Sequence, residues 1–350
     1  MKRLLLISAI VLLSLLSSCV KDRVDYVEGR RTISFSSSGA VLTETKADKP
    51  DDPSVLISVG KQAGVFGTRV VGVESEQVFY NRILQCDAVP DPLTPSVPYS
   101  SIWNYSPLEY WEDSGDYYFA AVFPYATDNA RIDNTYYLNV SYQAGSNNDL
   151  MVARAYQDAN VSKDPVNLPF KHATSAVRFL FGKSSSSPSD SYSLTGFQLE
   201  SLYSAGTLKV ITRISDPSEN VINIGDWSRG ALSTLASWHA DIAGDRKTVP
   251  HPEDSDNPDD YLEMGWYYMV PQQLNAESAV TFSVAYNDED PVETTLNISD
   301  RDGVGGLDTW HPNCVYNYYI TLTQSGLELT VKTVPWDQVD VTTESILFED

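Results

Sequence analysis

Histidine, cysteine and positive charge are all scarce in this 350-residue chain: four His, three Cys, and 24 Lys plus Arg against 47 Asp plus Glu. A formal charge of −23 excludes a reader of nucleic acid, which needs clustered Lys and Arg on the phosphates. It equally opposes electrostatic adhesion to an anionic membrane and favours solubility. The histidines, at 172, 239, 251 and 311, are too scattered for a metal centre or a catalytic triad. No G-x-S-x-G, H-E-x-x-H, C-x-x-C or phosphate-binding loop occurs. No catalytic residue, metal site or enzymatic activity is therefore expected. "DRDG" at 300–303 opens like a calcium loop but lacks the later ligands. The acidic stretch 251–260 reads as a solvated loop. No long segment holds a helical period either; only "RGALSTLASWHADI" (229–242) suggests a short helix.

What is abundant is apolar and aromatic: 42% hydrophobic residues, with 21 Tyr, 11 Phe and 7 Trp. That is enough for substantial cores, and the length suggests two domains. Short runs punctuated by Gly, Pro, Asn and Asp read as strands throughout. "TISFSSSG" (32–39) alternates Ile33 and Phe35 with serines. "DYYFAAVFPY" (116–125) reads as a buried strand. "AVRFLFG" (176–182) and "AVTFSVAYN" (279–287) alternate, and "VYNYYITLT" with "LELTVKTV" pairs as a hairpin around residues 324–326. The fold class is all-β, a tandem of β-sandwiches. The aromatic cluster at 101–119, with Trp103, Tyr105, Tyr110 and Trp111, offers two readings: a sugar-stacking platform, or the covered end of a core.

The N-terminus carries an address. Lys2 and Arg3 precede an apolar run, Leu4–Leu16, that is too short for a bilayer span of ~20 residues and has the flanks of a signal peptide. Leu16-Ser17-Ser18-Cys19 resembles a lipobox, where cleavage before the cysteine leaves its thiol to carry lipid. The covalent lipid on Cys19 is then the only prosthetic group expected, and several acyl chains together anchor stably in a membrane. Loss of Lys2 and Arg3 with the leader makes the remainder more negative still. Cys86 and Cys314 remain. They either pair in an oxidising compartment or stay as thiols, since a chain this long needs no staple. His172, at the mouth of a strand, reads as a structural histidine bonded to a loop carbonyl.

Several segments, in order, resemble the fimbrillin-like pilus subunits of the Bacteroidetes, the FimA/Mfa type. After the lipobox cysteine come "TISFSSS", a polar link, "WNYSPLEYW" with "YYFAAVFPY", "NDLMVARA" (148–155), "LPFKHATSAVRFLF" (168–181), "YYMVPQQL" (267–274) and "WHPNCVYNYYITLTQSGLELTVKTVPW" (310–336). "HPNC" at 311–314 departs from the Gly-Lys turn of many relatives. The resemblance implies two transthyretin-like Greek-key sandwiches, dividing as signal peptide 1–18, tether and removable first strand 19–53, N-terminal sandwich 54–165 and C-terminal sandwich 166–350. It implies assembly by strand exchange: a trypsin-like cut frees the first strand, and a donor from the next subunit fills the groove by β-augmentation. Candidate cuts are at Arg30, at Arg31, or between Lys46 and Ala47. The last alone would release "TISFSSS" and lies in a flexible polar stretch. The donor would come from the tail, 337–350, with Val339, Val341, Ile346 and Phe348 as its knobs. Expected partners are other pilus subunits, the outer membrane through lipid, and a host or bacterial surface receptor. Expected location is the outer membrane, cell surface and fimbrium. The alternative is a surface lipoprotein that binds glycans.

Overall fold

The computed structural model describes residues 26–27, 30–38, 60–88, 100–125, 129–133, 136–144, 149–187, 189–213, 225–239, 245–287, 289–299, 307–323 and 326–335. These residues form an all-β protein. No helix among them is long and apolar enough to cross a membrane.

The first half is one eight-stranded sheet. Its strands run in the order Val166–Asn167, Phe35–Ser38, Ser100–Asn104, Glu74–Ala88, Gln62–Val71, Asp116–Phe123, Met151–Asp158 and Lys171–His172. All neighbours are antiparallel except Val166–Asn167 beside Phe35–Ser36, which is parallel. The run "DYYFAAVF" is nearly all apolar because both faces of its strand are buried. Tyr117, Phe119, Ala121 and Phe123 point into the core of this sheet. Ala120 and Val122 point the other way, into a second core with Phe66 and Val152. A strand with two buried faces loses the alternation that marks a half-exposed one.

The second half is a sandwich. One sheet has the order Leu262–Met269, Ser175–Lys183, Cys314–Thr323, Gly326–Pro335; the other runs Leu232–His239, Tyr192–Tyr203, Ala279–Tyr286, Val292–Asn297. Their inner faces meet through edge-on and tilted rings, with Phe181 against Phe282 at 5.0 Å and Phe179 against Phe197 at 5.6 Å, geometries that add to simple area burial. The expected hairpin is present, with Thr323 opposite Gly326. A further sheet crosses between the halves, because Tyr137–Gln143 pairs with Ala205–Ile211. Residues 166–172 pair with the first sheet rather than with the sandwich that follows.

The helix expected within 229–242 is instead the strand Leu232–His239. The three-residue step from Leu235 to Trp238 falls where this strand is bulged. Leu235 sits opposite Leu199 and Trp238 opposite Phe197, so three residues on one strand face two on the other. A bulge inserts one residue into the ladder, and a period of two then imitates a helical spacing.

Candidate functional site

The segment Ile33-Ser34-Phe35-Ser36-Ser37 is seated between two other pieces of chain. Its alternation decides the seating: Ile33 and Phe35 are 0% and 2% exposed and Ser37 7%, while Ser34 and Ser36 are half-buried. On one side Phe35 lies opposite Trp103 and Ser36 opposite Ile102. On the other, Val166 N–H donates to the Ser34 carbonyl at 2.8 Å and Leu168 N–H to that of Ser36 at 2.7 Å. Just upstream, Ile33 N–H donates to the Glu109 carbonyl and Trp111 N–H to that of Arg31, both at 2.9 Å. The strand thus bonds to neighbours along both edges, and its inward side chains complete the core.

Each inward position has its own receptor. The ring of Phe35 meets Phe79 and Phe119 at 5.4 Å and Tyr105 at 5.8 Å, all edge-on. Gly67 lies under two of these rings; a Cβ there would come within 2.8 Å of Phe79 and 3.1 Å of Phe119, so glycine sets how deep the aromatic pocket is. Ser37 Oγ accepts from the indole Nε1 of Trp103 at 3.1 Å. Burying an aliphatic and an aromatic side chain contributes roughly 1.5–3 kcal/mol each. The strand is therefore a strongly held part of the core, not a loose tether.

Trp103 and Trp111 are each 2% exposed, which corrects the sugar-platform reading of this cluster. Trp103 walls the groove, and Trp111 packs edge-on to Tyr117 at 4.6 Å. The aromatics are there to close the core end over the first strand.

Of the processing residues, Arg30 and Arg31 are described. They form a short strand opposite Tyr26–Val27, and the Arg31 guanidinium lies 3.4 Å from Asp164. A half-exposed pair of this kind adds about 0–1 kcal/mol. Cys19, Lys46, Ala47, Val339, Val341, Ile346 and Phe348 lie outside the described residues, as does 300–303.

One further expectation changes, that for His172, and the structure also places the two cysteines and the acidic loop. His172 Nδ1 lies 2.7 Å from Asp149 Oδ2, so its partner is a carboxylate and not a loop carbonyl. The Thr174 hydroxyl donates to the other oxygen of Asp149 at 3.1 Å. This buried cluster ties the end of the first sheet to the start of the sandwich strand at Ser175. Cys86 is buried opposite Trp103 in the first sheet, whereas Cys314 faces Ser175 and Pro335 in the sandwich; they are not disulfide-linked. In the acidic loop, the side chains of Asp254, Asn257 and Asp260 accept from backbone N–H groups of the loop itself, and Asp256 pairs with Lys332. Among the described residues no group of three metal-binding side chains converges. Sequence reasoning missed Tyr105 and Asp149 as partners of the first strand and the joint, because neither pairing leaves a local pattern.

Comparison with known proteins returns three findings. No curated protein sequence matches. Solved structures share the fold: a Bacteroides uniformis protein provisionally assigned to cell adhesion aligns over 89% of this chain and 100% of its own, at 15% identity and a TM-score of 0.54. A fimbrial protein from Bacteroides vulgatus aligns over 88% and 99%, at 14% identity and a TM-score of 0.52. A family model described as fimbrillin-like matches residues 62–336, most of the chain, and on that match the chain belongs to the fimbrillin-like family.

Proposed function

We propose that the protein is a pilus subunit exported as a lipoprotein and assembled by strand exchange. The family assignment supports a structural subunit of a cell-surface pilus rather than an enzyme. The finer steps rest on the chain's own features. Lipid on Cys19 would carry it to the outer membrane. A cut between Lys46 and Ala47 would free the segment that ends at Ser38, and the groove between Ser100–Asn104 and Val166–Leu168 would open. A donor strand from the next subunit's tail would then fill it.

The observation that carries this reading is the seating of residues 33–37. They bond along both edges and fill the core, yet they precede the candidate cut. Removing such a strand exposes two unpaired edges and an aromatic pocket, a hazard unless another strand replaces it. Arg31 fits the role less well. Its carbonyl accepts from Trp111 N–H, and a cut there leaves the strand attached to the rest of the chain. The glycan-binding alternative loses its platform with the burial of Trp103 and Trp111.

The test is the mature N-terminus of protein extracted from the cell surface, read by intact mass and peptide sequencing. A start at Ala47 without lipid supports exchange. A start at acylated Cys19 in assembled pili would overturn it.

A further inference from the structure

The seated strand shows what its replacement must look like, and the chain carries a copy of that pattern at its far end. The groove takes an aliphatic side chain at the place of Ile33, an aromatic one at the place of Phe35 and a hydrogen-bond acceptor at the place of Ser37. Positions 34 and 36 face outward and set no such demand. In the tail "DQVDVTTESILFED", Ile346-Leu347-Phe348-Glu349-Asp350 repeats Ile-x-Phe followed two residues later by an acceptor.

Resting on the strand-exchange reading above, we infer that the tail of a second copy enters this groove in one register: Ile346 in the place of Ile33, Phe348 in that of Phe35 and Asp350 in that of Ser37. The polarity is that of the strand it replaces. The donor therefore inherits the same ladder, with Val166 and Leu168 N–H groups donating to its carbonyls, as they now do to Ser34 and Ser36. Backbone bonds do not discriminate between segments; the pockets for alternate side chains do.

The aromatic pocket decides between the two registers the tail offers. The other places Val339, Val341 and Thr343 inward, which suits the first and third positions. It puts a valine among Phe79, Phe119 and Tyr105, whose rings now close on a phenyl group. Unfilled core volume is costly because the walls relax only partly. Gly67 and the rings above it already pack to contact, which leaves little room for collapse. At the third position the donor brings a carboxylate where the resident strand brings a hydroxyl. Both accept from Trp103, but burying the charge is the less favourable of the two. The resident strand thus outcompetes the tail while it is attached, and exchange waits on its release.

The experiment uses full-length protein extracted from membranes, in a Cys314→Ser background, treated with limited trypsin. One copy carries Ile102→Cys, the residue opposite position 36; the other carries Glu349→Cys or Thr342→Cys. A disulfide between copies through position 349, with laddering reduced about a hundredfold or more by Phe348→Ala but not by Val341→Ala, supports the register. A disulfide through position 342 overturns the register and leaves exchange standing. Ladders with neither disulfide overturn the tail as occupant. Absence of both ladders and disulfides, with residues 1–46 gone, overturns exchange and this register together.

Discussion

The Tyr105 hydroxyl donates to the carbonyl oxygen of Ile33 across 2.6 Å and accepts the Glu109 N–H at 3.2 Å. One phenol thus clamps the first strand to the loop that covers it. Burial pushes its ionisation well above the ordinary tyrosine range. Tyr105→Phe keeps the ring against Phe35 and removes both bonds, leaving the Ile33 carbonyl without this donor and the Glu109 N–H without this acceptor. It is expected to lower the stability of the uncut chain by about 1–3 kcal/mol and to speed release of the first strand after cleavage. Urea unfolding gives the first quantity, and the rate of peptide release during limited proteolysis gives the second. An unchanged release rate would show that the clamp does not gate exchange.

Phe35→Ala removes a ring from a pocket with three aromatic walls. A loss of about 3–5 kcal/mol is expected in the uncut protein, whereas Ser36→Ala, on the outward side, should stay within about 0.5 kcal/mol. Equal effects from the two would mean that the strand is not seated as described. Denaturant midpoints of both variants decide it.

These outcomes bear on how much the residues disclose before the fold is known. Ile33-Ser-Phe35 announces a half-buried strand, because only one face meets the core and the period of two survives. "DYYFAAVF" is legible as buried for the opposite reason, having lost its alternation to two cores. Leu232–His239 misleads because bulges shift its ladder. Trp103 and Trp111 are ambiguous as sequence: large aromatics both bind sugars and cap cores, and only the strand above them settles which. The bond from Tyr105 to Ile33 spans 72 residues. The pairing of Tyr137–Gln143 with Ala205–Ile211 likewise joins distant segments. No local signal reports either one.

Asp149 holds both His172 and Thr174 where the first sheet hands over to the sandwich. Trp227 Nε1 donates to the Ala173 carbonyl at 3.1 Å in the same stretch. Asp149→Ala should cost about 2–4 kcal/mol, since it strips charge-assisted bonds from a buried cluster. Asp149→Asn, which keeps the shape and an acceptor oxygen, should cost less. If the two variants unfold at the same urea concentration, the carboxylate charge is what matters and the shape is not.

Tyrosine ionisation sets an upper pH limit. Burial pushes Tyr267 and Tyr319 up to about 12 from an ordinary value of 10.0, and it drives Tyr142, Tyr316 and Tyr318 higher still. The fold therefore favours the neutral phenol. In the unfolded chain these groups lose their protons near the ordinary value. Their contribution is fully present below about pH 10 and is lost as the pH climbs from there through the folded-state values. Between the two values each such phenol lowers stability by about 1.4 kcal/mol per pH unit. Urea midpoints should be flat up to about pH 9 and fall steeply by about pH 11. Tyrosinate absorbance from the buried phenols should rise together with unfolding. If those phenols all ionise near the ordinary value while the sheet signal persists, they are open to water and the cores described here are not closed around them.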